Sequence, residues 1–465
     1  MEKLANDEAI ILEEFEKFVN DLENEMNYLV RKLNIWIEEH KHAMKDIIKY
    51  ITNPINSLLL IKRTTVDVDL IHSRLLSTFY RFKQKIAKLQ PTTEDFSGAV
   101  DGLLRLQSIY KLQTSDIVNG VIDGEQVSEK MKSHDLLSIA THAMTLEKRN
   151  FFIDEYSREL KRSISENGDE FDEIDQQHLY HLELSNLNTT KINPYSMNDF
   201  PKNGIYSLEK EEILYSKMCR KEGLKSPKES AALKCRYLSI SAFSKIAPYK
   251  IEEADHHSNL VIFHEIISDS EIEILKNISR QKLTRGEIYE NDLQRAKTFK
   301  RVAKVAWLKD EESEVVSRIS KRVEDMTGLS MKTAEDLQVQ NYGIGGHYNP
   351  HWDMTLKRDG HKWTNGNRIA TVLFYLSTVD KGGATVFPYL KVHVPAVKGT
   401  AAFWYNLRES GDDDYYTRHA ACPVLIGSKW VANKWIHEHE QEFRRPCLVE
   451  KYIETSESET MSNVF

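Results

Sequence analysis

At 465 residues the chain is longer than one hydrophobic core usually serves, so two or three domains are expected. Its charged residues, 29% of the total, nearly balance to a net charge of -8, which excludes a strongly basic groove for nucleic acid. No apolar run approaches the ~20 residues that span a bilayer, and the start "MEKLANDEAIILEEF" lacks the basic-then-apolar plan of a signal peptide; read literally, the chain is soluble and starts in the cytosol.

The first hundred residues read as helix. Phe15, Phe18, Leu22, Met26, Leu29, Leu33 and Trp36 recur at steps of three or four and lay one apolar stripe along a single helix. Such a stripe needs a partner, either a neighbouring helix of the same chain or a coiled-coil-like dimer seam. Pro54 in "ITNPINSLLLIKR" ends the helix before it, and Pro91 marks a further boundary. From about 130, "SHDLLSIATHAMTLEKRNFFIDEYSRELKRSI" has helix-turn-helix periodicity, "DEIDQQHLYHLELSNL" reads as another helix, and "NTTKINPYSMNDFPKNGIYSLEKEE" reads as loop. One helical hairpin is legible, with no second copy at the spacing of a tetratricopeptide array.

After about 236 the periodicity changes. "SNLVIFHEII" is a strand, "SDSEIEILKNIS" opens a helix capped by Ser268 or Asp269, and "DEESEVVSRISKRVEDMTG" is a second amphipathic helix closed by Gly328. The segments "DLQVQNY", "RIATVLFYLS", "ATVFP", "TAAFWYNL", "HAACPVL" and "KWVANKWI" follow as strands between turns, which indicates a sandwich or jelly roll with a helical flank.

Chemistry concentrates in "GGHYNPHWDMT". His351 and Asp353 are two apart, and on a strand they project to one face while Trp352 points away. One imidazole and one carboxylate make two thirds of a facial triad for Fe(II), and His419, 66 residues after Asp353 and beside a predicted strand, is the candidate third ligand. Lys429 follows His419 by ten residues among apolar strand residues, where an unpaired ammonium is costly, so an anion should meet it. A 2-oxo acid fits: its keto acid end chelates iron and its distal carboxylate pairs with the lysine. Trp435 lies six residues further on the same strand face. His347, His361 and His393 stand alone and are assigned no role.

The four cysteines contain no CxxC, which argues against a zinc knuckle or thioredoxin-type pair. Three pairings are possible, and four free buried thiols are the alternative. Asn188-Thr189-Thr190 and Asn277-Ile278-Ser279 are sequons usable only in a secretory compartment.

In "FHEIISDSEIEIL", "TAEDLQVQNYGIGGHYNPHWD", "GNRIATVLFYLSTVDKGGATVFP", "GTAAFWYNL", "TRHAACPVLIGSKWVANKWIHE" and "QEFRRPC" the chain resembles the catalytic domain of the animal collagen prolyl 4-hydroxylase alpha subunits, which are Fe(II)/2-oxoglutarate-dependent dioxygenases. The likeness extends through "MCRKEGLKSP", "LKCRY" and, N-terminally, "NPINSLLLIKR". It implies an α+β fold: an N-terminal helical dimerisation region (1–125), a degenerate tetratricopeptide-like peptide-binding domain (126–235), a double-stranded β-helix or jelly-roll catalytic domain flanked by helices (236–450) and a flexible tail (451–465).

Residue by residue, the resemblance implies that His351, Asp353 and His419 ligate Fe(II) and that Lys429 binds the C5 carboxylate of 2-oxoglutarate. Tyr342 and Thr385 then line the cosubstrate pocket, while Tyr348, Arg368 and Trp435 surround the target proline. The implied reaction couples proline C4 hydroxylation in X-Pro-Gly segments to conversion of 2-oxoglutarate to succinate and CO2, with ascorbate reducing iron left oxidised. Also implied are disulfides Cys219–Cys235 and Cys422–Cys447, residence in the endoplasmic reticulum lumen, and an alpha2beta2 tetramer with protein disulfide isomerase. The missing signal peptide conflicts with that compartment: the expectation favoured is a mature or truncated chain, and the alternative is that the lumenal assignment is wrong. Tyr156, Tyr180, Tyr195 and Tyr206 are the tyrosines available to grip a proline-rich peptide or to pack. Trp352 stands where the family carries a smaller aromatic. The alternatives are an oxygenase for a non-collagen protein, and a non-enzymatic scaffold or chaperone subunit, which loss of a triad ligand or of Lys429 would have favoured.

Overall fold

The computed structural model describes residues 2–144, 150–167, 175–176, 179, 208–286, 288–290, 294–296, 300–356 and 364–448. Contacts divide the chain into two units, Met1–Ser97 and Gly98–Phe465. In the first, α1 (Glu2–Met44), α2 (Ile47–Thr52), α3 (Pro54–Thr64) and α4 (Val66–Ile86) follow one another with short breaks. Pro54 starts α3 at a position where its missing N–H costs nothing, and the Asn53 side chain caps the helix by accepting from Ile55 and Asn56. The α1 stripe finds part of its partner in α4: Phe18 stacks on Phe82 at 4.7 Å, and Glu25 takes two hydrogen bonds from Arg74. Met26 and Leu33 remain 60% and 54% exposed, so α4 covers only one side of the stripe.

The second unit takes up α5 (Thr93–Tyr110) from Gly98 onward, followed by α6 (Thr114–Val118) and the expected helical hairpin, α7 (Ser133–Met144) and α8 (Asn150–Asn167). Leu104, Leu136, Ala140, Tyr156 and Leu160 form a shared core. Tyr156 is a packing residue whose hydroxyl donates to Gln107, while Tyr180, Tyr195, Tyr206, most of the helix expected over "DEIDQQHLYHLELSNL" and the sequon at Asn188 lie outside the described residues. Helix α9 (Leu208–Cys219) precedes the β region. Two more helices, α10 (Asp269–Arg280) and α11 (Glu314–Thr327), flank it. Ser268 is the cap of α10, in a reciprocal box with Glu271, and Gly328 closes α11 in the left-handed conformation that glycine adopts without a Cβ clash.

Among the described residues, fourteen strands form the two principal sheets. The larger uses β1 (Cys235–Leu238), β2 (Tyr249–Asp255), β3 (Leu260–His264), β4 (Thr284–Arg285), β6 (Lys304–Leu308), β7 (Leu337–Tyr342), β9 (Arg368–Tyr375), β12 (Ala401–Tyr405) and β14 (Lys429–His437), in the order β1-β2-β3-β12-β9-β14-β7-β6-β4. The smaller uses β5 (Arg301–Val302), β8 (His347–His351), β10 (Thr385–Phe387), β11 (Val392–Val394) and β13 (His419–Ala421), in the order β11-β10-β13-β8-β5. Alternation along the strands makes two cores. Val339, Val372, Phe374, Ala432 and Ile436 face α10 and α11, while Leu373, Tyr375, Trp404 and Val431 face Phe387, Val392 and Val394 of the smaller sheet. A residue such as Leu275, fully buried against the sheet, contributes about 1.5–3 kcal/mol. This is the expected jelly-roll arrangement, with helices outside the larger sheet and the functional face between the two.

The disulfide pattern corrects the sequence-based expectation. Cys219 is joined to Cys422, while Cys235 and Cys447 are free and exposed, so neither Cys219–Cys235 nor Cys422–Cys447 is formed. The reason is the docking of α9 on the smaller sheet. Tyr215, Met218 and Cys219 pack with Ala384, Val386 and Ala420, and the Tyr215 hydroxyl donates to the Ala421 carbonyl at 3.2 Å. Cys235 instead lies on the edge strand β1, paired in register with Glu252. Nearness along the chain is outweighed by the apolar face of a helix.

Candidate active site

The Gly345–Gly346 turn leads into β8, which lies beside β13 so that His351 and His419 are direct cross-strand partners. The strand ends at His351, and Asp353 follows in a bend. The alternation argument therefore expected the two side chains together for an incomplete reason: the bend, not a continuing strand, returns the carboxylate to the imidazoles. His351 Nε2 lies 3.6 Å from Asp353 Oδ1 and His419 Nε2 lies 3.7 Å from Oδ2, and one ligand atom from each residue falls within 4.8 Å of the others. Trp352 points away, as expected. Its indole N–H donates to the Tyr415 carbonyl, and the Arg418 guanidinium stacks on its ring at 4.0 Å.

Electrostatics suit metal binding. His351 Nδ1 bonds the Asn349 carbonyl at 2.8 Å and His419 Nδ1 the Thr417 carbonyl at 2.9 Å. A carbonyl only accepts, so each Nδ1 carries the proton and each Nε2 keeps its lone pair for a metal. Burial pushes His351 well below its ordinary pKa and lowers His419, keeping both rings neutral. Burial alone would raise Asp353, but His419, His351 and Arg368 hold it below the usual carboxylate range.

Lys429 opens β14, opposite Tyr342 of β7, and is 1% exposed. Its Nζ reaches the Thr385 hydroxyl at 3.5 Å and lies 5.4 Å from the Tyr342 ring. Burial brings its pKa down to about 7, and no described carboxylate opposes that shift. The sequence-predicted cosubstrate residues Lys429, Tyr342 and Thr385 are thus one cluster between the sheets.

On the other flank, the Tyr348 ring stacks on His351 at 3.6 Å, and the Arg368 guanidinium stacks on Trp435 at 4.0 Å. Arg368 also donates to both Glu335 carboxylate oxygens and to the Asp353 carbonyl. The three residues expected around a target proline therefore line one side of the triad. Cys219 and Cys422 act in joining α9 to the strand that carries His419. His393 bonds the Met218 carbonyl at 3.0 Å, and His361 is outside the described residues.

Residues 1–124 match the family model described as prolyl 4-hydroxylase alpha-subunit, N-terminal region, and residues 337–437 match that of the 2OG-Fe(II) oxygenase superfamily. Prolyl 4-hydroxylase subunit alpha-2 of Caenorhabditis elegans is 37% identical over 477 residues, covering 92% of this chain and 88% of that protein. The human subunit alpha-1 is 36% identical over 465 residues, covering 88% and 86%. The chain belongs to the prolyl 4-hydroxylase alpha-subunit family. Among solved structures, the 2OG complex of the viral collagen prolyl hydroxylase from Paramecium Bursaria Chlorella virus-1 is 26% identical over 38% of this chain and 94% of that one, with a TM-score of 0.31.

This prolyl 4-hydroxylase alpha-subunit chain holds further site residues that sequence reasoning missed. Glu335 joins Arg368 to His437, whose Nε2 is 3.1 Å from its carboxylate. Buried Arg301 donates to Gln338 and lies over the Tyr348 ring at 5.0 Å. Thr371 donates to Asp353 at 2.8 Å. The available signal was strand parity: Thr371, Gln338 and Gln340 are buried polar residues at inward strand positions, in phase with Lys429 across the register.

Proposed function

We propose that this chain is the catalytic alpha subunit of a procollagen-proline 4-dioxygenase acting on X-Pro-Gly segments. The observation that carries the reading is the pairing of a two-histidine, one-carboxylate cluster with a buried lysine that no described carboxylate neutralises. Two imidazole nitrogens and one carboxylate oxygen on one face are the donor set for Fe(II) with positions left open, so His351, Asp353 and His419 are its holders. Held there, iron would supply the oxidising chemistry with dioxygen as the oxidant: one oxygen atom would enter succinate as 2-oxoglutarate loses CO2, and the other would turn a proline C4–H into C4–OH.

The protein's part is positioning. Lys429 takes the C5 carboxylate, regaining in the ion pair the charge that burial disfavours, with Thr385 as a further donor and Tyr342 as a wall. Tyr348, Arg368 and Trp435 present a flat aromatic and cationic flank for the proline ring, and Glu335 fixes the Arg368 fork. Ascorbate would be the reductant for iron left oxidised by turnover without peptide. The uncovered part of the α1 stripe supports dimerisation through the N-terminal helices, within an alpha2beta2 assembly with protein disulfide isomerase. The Cys219–Cys422 bond supports residence in an oxidising compartment, the endoplasmic reticulum lumen. Residues 126–235 serve as the peptide-binding domain in this reading.

The test is succinate release from 2-oxoglutarate with Fe(II) and ascorbate, after co-expression with protein disulfide isomerase, with and without a (Pro-Pro-Gly) repeat peptide. Peptide-stimulated release with hydroxyproline in the product is expected, and Asp353→Ala abolishes it. Release that peptide does not stimulate would move the substrate elsewhere, and turnover surviving Asp353→Ala would sink the metal assignment.

A further inference from the structure

A line of three buried hydrogen bonds leads from the interior of the larger sheet to Asp353. The Trp404 indole N–H donates to Asn406 Oδ1 at 2.8 Å, the Asn406 amide donates to Thr371 Oγ1 at 2.9 Å, and the Thr371 hydroxyl donates to Asp353 Oδ2 at 2.8 Å. Thr371 and Asn406 are 0% exposed and Trp404 is 1% exposed, so bulk water does not compete for these groups.

The direction of the line follows from the residue types. An indole N–H can only donate, so the Asn406 oxygen faces Trp404 and its NH2 faces Thr371. A hydroxyl has one proton, and Thr371, already accepting from Asn406, gives it to a carboxylate that only accepts. Reversing any member would set two donors or two acceptors face to face where nothing else satisfies them. Trp404 has a second contact: its ring meets His419 edge-on, 4.8 Å between centroids at 63°. Thr371 and Trp404 are direct cross-strand partners on β9 and β12, so the register that places one places the other. Trp404 thus touches one imidazole of the triad with its ring and reaches the carboxylate through its N–H.

We propose that Trp404, Asn406 and Thr371 form a positioning relay that orients the Asp353 carboxylate before metal binds. Rotating the carboxylate out of place breaks the Thr371 bond and leaves the buried Thr371 hydroxyl proton without an acceptor, so the plane of the group is held in advance. A ligand oriented in this way binds metal more tightly than one that must be ordered on binding. The inference rests on reading His351, Asp353 and His419 as a metal site, and the experiment separates the two claims.

The probe is Co(II) alone, titrated by its visible absorption into the metal-free full chain co-expressed with protein disulfide isomerase, with thermal unfolding followed in parallel. Thr371→Val keeps shape and loses the donor, and is expected to weaken Co(II) binding by ~10- to 100-fold and to alter the absorption band. Thr371→Ser, which keeps the hydroxyl, restores both. Trp404→Phe keeps a ring against His419 but removes the N–H two bonds upstream, and it too weakens Co(II) binding; it decides the matter if Thr371→Val fails to fold. A folded Thr371→Val or Trp404→Phe that binds Co(II) as wild type, with the same band, overturns the relay while leaving the metal site intact. Wild-type protein that binds no Co(II) overturns both.

Discussion

Replacing Lys429 with methionine, which is of similar length and uncharged, isolates the energetics of the cosubstrate pocket. The Lys429 pKa falls from 10.5 to about 7 through burial. At ~1.4 kcal/mol per pH unit, that fall corresponds to about 5 kcal/mol of destabilisation when the ammonium is protonated in the folded state. The sign follows from proton counting. Between pH 7 and 10.5 the unfolded chain holds the lysine proton and the folded chain has released it, so stability rises with pH across that window. Below about 7 both states are protonated and the full penalty applies; above 10.5 both are neutral and it vanishes. Lys429→Met should therefore stabilise the cosubstrate-free protein at pH 6 by several kcal/mol, with the advantage shrinking towards pH 10. Adding 2-oxoglutarate with metal reverses the ranking, because only the wild type gains an ion pair. Urea unfolding of the Gly98–Phe465 unit at pH 6, 7.5 and 9, with and without cosubstrate, reads all of this. Equal pH slopes in the two proteins, or equal protection of both by 2-oxoglutarate, would refute the argument.

Two further outcomes are expected. Glu211 of α9 holds the Arg418 guanidinium through two hydrogen bonds, and Arg418 stacks on Trp352, between two of the triad residues. Glu211→Gln should lower stability by about 3 kcal/mol in urea unfolding, the cost of leaving a mostly buried cation without its partner, whereas the exposed pair Lys332–Glu440 should tolerate Glu440→Gln. Alkylation of the native, non-reduced protein should label Cys235 and Cys447 and spare Cys219 and Cys422, and peptide mapping that found Cys235 bonded to Cys219 would contradict the docking of α9.

Local chemistry made much of this protein legible in its sequence. Proline, the Ser268 cap and Gly328 act within a turn or two, so the ends of α3, α10 and α11 could be read from neighbours in the chain. Short runs rich in apolar, β-branched and aromatic residues, bounded by turns, marked the strands, because the central strands of the larger sheet are buried on both faces. His351, Asp353, His419 and Lys429 stood out because coordination and burial of charge restrict residue type severely. The α1 stripe announced that a partner was needed, while Phe82 of α4 as part of that partner emerged only from packing.

The tertiary structure decided what depends on groups far apart in the chain. Cys219 meets Cys422 across a separation of 203 residues because the apolar side of α9 covers the smaller sheet. Asp353 reaches the imidazoles from a bend that strand periodicity does not describe. Thr371 and Trp404 in their strands, and Asn406 just past the end of β12, are unremarked polar and aromatic positions, and they become one line of hydrogen bonds only when β9 and β12 pair in register. Residue type limits which groups can ligate, donate or carry charge, and only the fold brings chosen members of those sets within hydrogen-bonding distance.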